Sequence, residues 1–181
     1  MRRIADEFGV TPMSLYRYVR DKEELVDAVL DELIDRTPIP RVGGSWQHRV
    51  RKLMTWLEEE LERYPDVLAL RLHRPLLSPG ALKLTEAVMA ALVDGGFSPE
   101  EAARAYRALF AYTFGYAAYG PREHGAADEA ATLATLLTLP AGEYPVLSAA
   151  ARAAATSMAA SQFELGLNAL LAGLHAATHP S

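Results

Sequence analysis

The chain has 181 residues, of which 50% are hydrophobic and 23% charged, and its formal net charge is −5 at pH 7. These values are typical of a globular protein with one large domain or two small ones. The absence of cysteine excludes disulfides, thiolate metal sites and cysteine nucleophiles. No stretch has the pattern of a membrane span or a signal peptide, so we expect no membrane association and a cytoplasmic location.

Charge is unevenly distributed along the chain. Residues 1–22 contain five basic and three acidic side chains, whereas residues 23–35 contain six acidic side chains and no basic one. A basic end on an acidic body can steer that end toward an anion, although a solvated charged surface explains the same pattern.

Apolar residues recur at helical spacing along the whole chain, and no run of β-branched residues bounded by turns predicts a strand. The predicted fold class is therefore all-α. In chain order, the expected helices cover about residues 1–8, 12–19, 21–36, 45–61, 65–74, 78–94, 99–119 and 157–174. Residues 126–160, of which fourteen are alanine, are expected to form loosely packed helix and loops.

Helix start signals and one turn-rich run define the predicted organisation. The predicted N-terminal caps are Thr11, Asp21, Ser45 and Ser98. A glutamate follows Asp21 and Ser98 three residues later, as in a capping box. The proline- and glycine-rich run at 37–44 predicts a linker between an N-terminal domain, residues 1–36, and a helical body, residues 45–181.

The first two predicted helices have the pattern of a helix-turn-helix motif. Ala5 is the small residue where the helices cross, and Gly9 supplies the turn. The residues predicted to face inward are Ile4, Phe8, Val10 and Leu15. Those left to face outward are Arg2, Arg3, Thr11, Pro12, Met13, Ser14, Tyr16 and Arg17, a set suited to base edges and phosphates. The same small-residue spacing occurs in many helical proteins, so spacing alone leaves DNA binding and ordinary packing equally open.

The run from Arg3 to Leu25 resembles the DNA-binding motif of the TetR family of bacterial transcriptional repressors. Its most diagnostic part is Leu15-Tyr16-x-Tyr18-Val19-x-x-Lys22-x-x-Leu25. The run from Phe163 to Leu174 resembles the closing helix of the branch that includes the tetracycline repressor. This resemblance implies an all-α repressor with a truncated helix-turn-helix domain and a helical domain for ligand binding and dimerisation.

The resemblance also implies residue roles in binding a double-stranded DNA operator. Arg2 aligns with a base-contacting position, and the residues that fall on the recognition helix and its start are Thr11, Pro12, Met13, Ser14 and Arg17. Tyr16 and Tyr18 are implied backbone and groove contacts, and Lys22 an implied phosphate contact. The family has a further helix before this motif, and the chain begins at the motif. We therefore expect either a start site placed too late or a loss of DNA binding.

In the body, the resemblance implies a site for a small-molecule inducer, expected to be apolar or aromatic. The candidate lining residues are Leu57, Leu61, Leu68, Leu72, Ala87, Ala91, Phe110, Thr113 and Phe114; ordinary core packing is the alternative for each. The position matching the metal-binding histidine of the tetracycline repressor is Ala111, so a metal–tetracycline ligand is not expected. His175 and His179 have a spacing that could hold a metal, but a solvated tail is the expectation. We expect no metal and no cofactor.

Small residues beside a leucine stripe on the last helix predict a homodimer. It would form a four-helix bundle with the long helix at about 99–119. The predicted interface residues are Phe163, Gly166, Leu167, Leu170, Gly173 and Leu174. No catalytic constellation, phosphate-binding loop or carboxylate pair in an apolar setting is found, so enzyme activity is not expected. The sequence thus predicts a homodimeric repressor of a palindromic operator, released by an inducer. The alternative is a helical small-molecule sensor or carrier that has lost DNA binding.

Overall fold

A computed structural model describes residues 9–21, 38–63, 79–119, 126–156 and 160–178, with Ala5, Glu7, Glu24, Leu25, Ala28, Val29 and Glu32. The helices with defined bounds are α1 (Pro12–Tyr16), α2 (Trp46–Arg63), α3 (Pro79–Asp94), α4 (Pro99–Tyr119), α5 (Ala126–Leu137), α6 (Pro145–Ala149), α7 (Ala151–Ala155) and α8 (Ala160–Thr178). The seven single residues are also helical, and no strand occurs in these ranges, which confirms the all-α prediction. None of the described helices is long and apolar enough to cross a membrane.

The predicted N-terminal caps form the expected hydrogen bonds. At the start of α4, the backbone N–H of Glu101 donates to Ser98 Oγ at 3.3 Å. The Glu101 carboxylate accepts in return from the Ser98 backbone N–H at 2.9 Å. The His48 N–H donates to Ser45 Oγ at 3.3 Å before α2. These bonds satisfy N–H groups that have no partner within the helix.

The end of α3 shows why a glycine pair stands between two long helices. Gly96 has φ +95°, a left-handed conformation that L side chains rarely adopt. The Phe97 N–H donates back to the Leu92 carbonyl at 3.2 Å, and the Gly96 N–H to the Val93 carbonyl at 2.9 Å. This Schellman arrangement ends α3 and directs Phe97 into the core.

Several helix bounds differ from the prediction. Helix α1 ends at Tyr16 rather than Val19, because Arg17 and Tyr18 form a turn. Helix α8 continues past the predicted end at Leu174 to Thr178, whose hydroxyl donates to the Leu174 carbonyl at 3.0 Å. The alanine-rich stretch forms three helices, α5 to α7, that pack on one another. The predicted helix at 65–74 lies outside the described residues.

The hydrophobic core is formed by α2, α3, α4 and α8. Trp46 at the start of α2 meets Phe97 edge to face, with ring centroids 5.1 Å apart. The largest fully buried side chains of the core are Phe163, Met54, Leu92, Leu109, Leu167, Leu171, Val50, Val88 and Thr113. Side chains from all four helices are therefore removed from water together, which is the main source of stability in such a domain.

The contact between α4 and α8 requires a glycine. The Tyr112 ring stacks on Phe163 with centroids 5.5 Å apart, and its hydroxyl donates to the Phe163 carbonyl at 3.0 Å. A Cβ at position 166 would overlap the Tyr112 hydroxyl. Gly166 therefore allows the two helices to approach within one subunit.

This packing removes Phe163 and Leu167 from the predicted dimer interface. Phe163 and Leu167 are 1% and 0% exposed, so they belong to the core of their own subunit. Leu170 and Leu174 are half-buried against that core, and Gly166 faces Tyr112. Of the predicted set, Gly173 alone has open space where a Cβ would be. The leucine stripe is the inner face of α8.

We expect Gly166→Ala to lower the free energy of unfolding by about 1–3 kcal/mol, because the added methyl group displaces Tyr112. Gly142→Ala adds the same methyl in an exposed turn where no described atom lies within 4 Å, and it should leave the free energy of unfolding nearly unchanged. Urea unfolding of both variants at one protein concentration is the measurement. A Gly166→Ala protein as stable as the wild type would contradict the role assigned to Gly166.

Candidate nucleic-acid interface and ligand-binding core

The front segment turns sharply at Gly9, as predicted for a helix-turn-helix. Gly9 has φ +63°, and the Val10 N–H donates to the Ala5 carbonyl at 2.9 Å. No atom lies within 4 Å of a Cβ built at Gly9, so the backbone conformation, not space, favours glycine. Ala5 is fully buried, which fits the close approach expected of a small residue at the crossing.

Helix α1 and the following turn present a row of exposed side chains. The exposed members of the predicted DNA-binding set are Thr11, Met13, Ser14, Tyr16, Arg17 and Tyr18. Val19, just after them, is buried and anchors the turn. Val10 is 42% exposed, so it is not buried on the inner face as predicted. Pro12 is the first residue of α1, and Arg2, Ile4, Phe8 and Lys22 lie outside the described residues.

Thr11 caps α1 with its hydroxyl. Its Oγ1 accepts from the Ser14 backbone N–H at 3.3 Å and lies 2.9 Å from the Ser14 hydroxyl. The two hydroxyls thus form one exposed polar pair at the start of α1. Hydroxyls in such a position can contact phosphate oxygens or base edges.

Two arginines near α1 have different surroundings. The Arg20 Nε lies 3.1 Å from Glu24 Oε2, and the Arg20 backbone N–H also donates to this carboxylate. That backbone bond, followed by the side-chain bond, lowers the pKa of Glu24. Arg17 instead donates to the Tyr18 hydroxyl at 3.1 Å, with its guanidinium 5.3 Å from the ring centroid. Arg20 is therefore neutralised locally, whereas among the described residues Arg17 has no carboxylate partner.

The same bonds correct one predicted detail. Asp21 caps the next helix as expected, since its Oδ1 accepts from the Glu24 N–H at 2.8 Å. Glu24 does not complete the capping box at Asp21. Its carboxylate reaches Arg20, one residue earlier.

The described candidate ligand-binding residues come together in the core of α2, α3 and α4. Those buried are Leu57, Leu61, Ala91, Thr113 and Phe114, and those half-buried are Ala87 and Phe110. The Phe110 and Phe114 rings stack with centroids 5.3 Å apart. Leu68 and Leu72 lie outside the described residues. The described part of the predicted set thus forms a contiguous, largely apolar region, with aromatic rings on its α4 side.

Glu58, on α2, is an acidic residue inside this region. It is only 4% exposed, and its Oε1 has no hydrogen-bond partner among the described residues. Met54, one turn earlier, accepts from the buried Thr113 hydroxyl at 3.7 Å. Burial, followed by the nearby Glu62 carboxylate, raises the pKa of Glu58 to about 7. The sequence-based prediction was that no carboxylate pair lies in an apolar setting, and it did not single out Glu58, a buried carboxylate.

The helical spacing of α2 could have predicted the burial of Glu58. It lies four residues after Met54 and three before Leu61, on the apolar side of α2. Because it begins a run of three glutamates, it resembled part of a solvated face. The charge of Glu58 also acts on Tyr112 of α4. Burial is the larger cause of the raised pKa of Tyr112, and the Glu58 charge is the smaller one.

The described residues contain no group of three or more side chains suited to holding a metal ion. Ala111, at the position compared with a metal-binding histidine, is exposed on α4. His175 packs against Trp46 with ring centroids 6.2 Å apart. His179, its predicted partner in a metal pair, lies outside the described residues.

A helical body behind an exposed helix-turn-helix surface is the arrangement of one-component transcriptional regulators. Residues 39–178 match the model of the tetracyclin repressor-like C-terminal domain. The chain belongs to the TetR family of transcriptional regulators.

The similar proteins share this assignment. An HTH-type transcriptional regulator of Saccharopolyspora erythraea is 33% identical over 181 residues, which cover 97% of this chain and 75% of that protein. The HTH-type transcriptional repressor DrrR1 of Streptomyces coeruleorubidus is 29% identical over 160 residues, 82% of this chain and 59% of the repressor. These relatives are named as transcriptional regulators and not as enzymes.

One solved structure matches nearly the whole chain. ActR, a TetR family protein of Streptomyces coelicolor in complex with actinorhodin, superposes with a TM-score of 0.85 at 27% identity. The superposition covers 99% of this chain and 86% of ActR.

We expect Glu58→Gln to stabilise the protein at pH 8. The folded protein holds the Glu58 proton more tightly than an unfolded chain does, since its pKa rises from 4.5 to about 7. The wild-type free energy of unfolding should therefore fall as pH rises through that window. At pH 8 the variant should exceed the wild type by on the order of 1–3 kcal/mol, and at pH 4.5 the difference should nearly vanish.

Urea unfolding at the two pH values measures this effect. Glu59→Gln removes the adjacent, exposed carboxylate and should leave most of the wild-type pH dependence in place. Equal pH profiles for Glu58→Gln and wild type would show that Glu58 is ionised in the folded protein at no cost.

Proposed function

We propose that this protein is a ligand-responsive transcriptional repressor that binds a palindromic operator as a homodimer and is released by a small apolar or aromatic inducer. Family membership supports the regulatory class, and the similarity to DrrR1, named a repressor, supports the direction of control. The observation that carries the proposal is the exposed surface of Thr11, Met13, Ser14, Tyr16, Arg17 and Tyr18 beyond the turn at Gly9.

The exposed surface suggests a division of roles on DNA. Arg17 has no acidic partner among the described residues and is placed by Tyr18, so it is our candidate for contact with a base edge. Thr11 and Ser14 offer hydroxyls at the start of α1. Lys22 and Arg2 are also proposed to contact DNA, on the basis of the sequence alone. Two such surfaces would enter successive major grooves, roughly 34–36 Å apart.

A second copy of the chain is the proposed partner of the outer faces of α4 and α8. The side of α8 away from the core includes the exposed residues Leu165, Ala169, Ala172, Gly173 and Ala176, with Leu165 71% exposed, beside the exposed polar residues Ser161, Gln162 and Asn168. On α4, Ala108 and Ala111 are exposed, and nothing lies within 4 Å of a Cβ built at Gly115. Tyr112 joins the two helices beside these faces. Two copies related by a two-fold axis would therefore form a four-helix bundle.

The inducer is proposed to enter the apolar region between α2, α3 and α4. The ActR–actinorhodin complex supports a small-molecule site in a body of this fold. A ligand changes an equilibrium only if it binds one conformation better than another. We propose that the ligand-bound body holds the two DNA-binding surfaces at a spacing that no longer matches the operator.

We expect Arg17→Ala to weaken operator binding by about 1–3 kcal/mol and to reduce the preference for operator over scrambled duplex. Fluorescence anisotropy of the full-length gene product with a labelled duplex from upstream of its own gene is the measurement, at fixed salt. Arg152→Ala, an exposed arginine on α7, is the control and should leave binding unchanged. If the wild-type protein binds operator and scrambled duplex alike, the repressor proposal fails.

We expect Leu165→Glu to convert the dimer to a monomer, because a charge would then be buried where two α8 helices meet. Leu137→Glu places the same charge on α5 at a leucine that is 62% exposed, and this variant should remain dimeric. Sedimentation velocity at micromolar concentration distinguishes the two states. A monomeric wild type, or a dimeric Leu165→Glu protein, would contradict the proposed pairing face.

A further inference from the structure

A cleft of about 410 Å³ opens between the first half of α2 and the second half of α8, away from the proposed inducer region. Its lining residues are Gln47, Arg51, Asn168, Leu171, Ala172 and His175. None of the residues proposed for DNA or inducer contact lines it, and it shares only Ala172 with the proposed pairing face. No role assigned so far uses this cleft.

The polar side of the cleft consists of hydrogen-bond donors. Arg51 donates from Nε to Asn168 Oδ1 at 2.8 Å, across the two helices. This bond turns the Asn168 carbonyl toward Arg51 and leaves the Asn168 NH₂ group as a donor. Gln47 lies one turn before Arg51 on α2 and adds a second amide. The remaining guanidinium N–H groups of Arg51 can bind two oxygens of one anion side by side.

Arg51 differs from the nearby Arg49 in having no acidic partner among the described residues. Arg49, two residues earlier, forms an ion pair with Asp94 at 2.7 Å. Arg51 has only the neutral Asn168 amide as a side-chain partner among the described residues. Among the described residues, no carboxylate lines the cleft, and Glu164, one turn before Asn168, is not part of its lining. In an acidic protein, this leaves a local positive site with donors on two walls.

The other side of the cleft combines the apolar Leu171 and Ala172 with the imidazole of His175. Leu171 is 2% exposed and belongs to the core. The His175 ring rests against Trp46, which is itself buried. An apolar wall opposite a cation suits a molecule that carries an anionic group on an apolar body.

We propose that this cleft binds a small anionic ligand, with Arg51 and the Asn168 amide holding a carboxylate or phosphate group and Leu171 contacting its apolar part. The site is separate from the inducer region proposed above. Its occupancy does not depend on DNA binding.

The probes are sodium benzoate and inorganic phosphate, with benzamide as the uncharged counterpart of benzoate, all at constant ionic strength. Titration calorimetry gives the affinity, and the NMR signal of the Asn168 side-chain amide reports the location. We expect saturable binding with a Kd of about 1 mM or tighter for one of the two anions, and none for benzamide. Tighter binding of benzoate identifies a carboxylate on an apolar body, and tighter binding of phosphate identifies a phosphate ester.

Variants localise the binding. Arg51→Gln should lose at least tenfold in affinity, and Asn168→Ala several-fold. Arg51→Lys should lose less than Arg51→Gln, because lysine keeps the charge without the planar fork. Arg152→Gln removes the same charge from an exposed position on α7 and should bind like the wild type. Absence of saturable binding, an unmoved Asn168 signal, or equal losses in Arg51→Gln and Arg152→Gln would overturn the proposal.

Discussion

The packing of Tyr112 against the first turns of α8 determines which face of α8 lies in the core of the body and which face stays exposed. The ring lies on Phe163 and the hydroxyl donates to the Phe163 carbonyl, and Gly166 supplies the space. This contact places the leucine stripe of α8 in the core and leaves its alanines outside. The proposed pairing face therefore follows from the way Tyr112 holds α8 against α4.

Electrostatics divides the front segment into a neutralised part and an available part. Glu24 accepts from both the backbone and the side chain of Arg20, which removes that arginine from long-range attraction. Arg17 lies over Tyr18 and retains its charge toward solvent. On a protein of net charge −5, a local exposed cation of this kind orients the approach to a polyanion, even though the whole molecule is repelled by it.

Local features of the fold were predictable because they depend on a few neighbouring residues. The Ser98–Glu101 box and the stop at Gly96 follow from backbone groups that need partners near them in sequence. The face of α8 was not predictable in this way, since a leucine stripe with glycines fits a core and a subunit interface equally well. Glu58 was missed for a related reason, because its burial depends on α4 and α8 and not on the glutamates beside it.

The connection between the two ends of the molecule runs through a short anchored segment. Ile39 is half-buried against the core formed by α2, α3, α4 and α8, only seven residues before α2 begins at Trp46. Trp46 is itself fixed by Phe97, so the first turn of α2 and the end of the linker rest on the same packed side chains. Close-packed interiors transmit displacement instead of absorbing it. In the proposed mechanism, a displacement of α2 by the inducer would reach the front segment through Ile39, where the chain leaves the core.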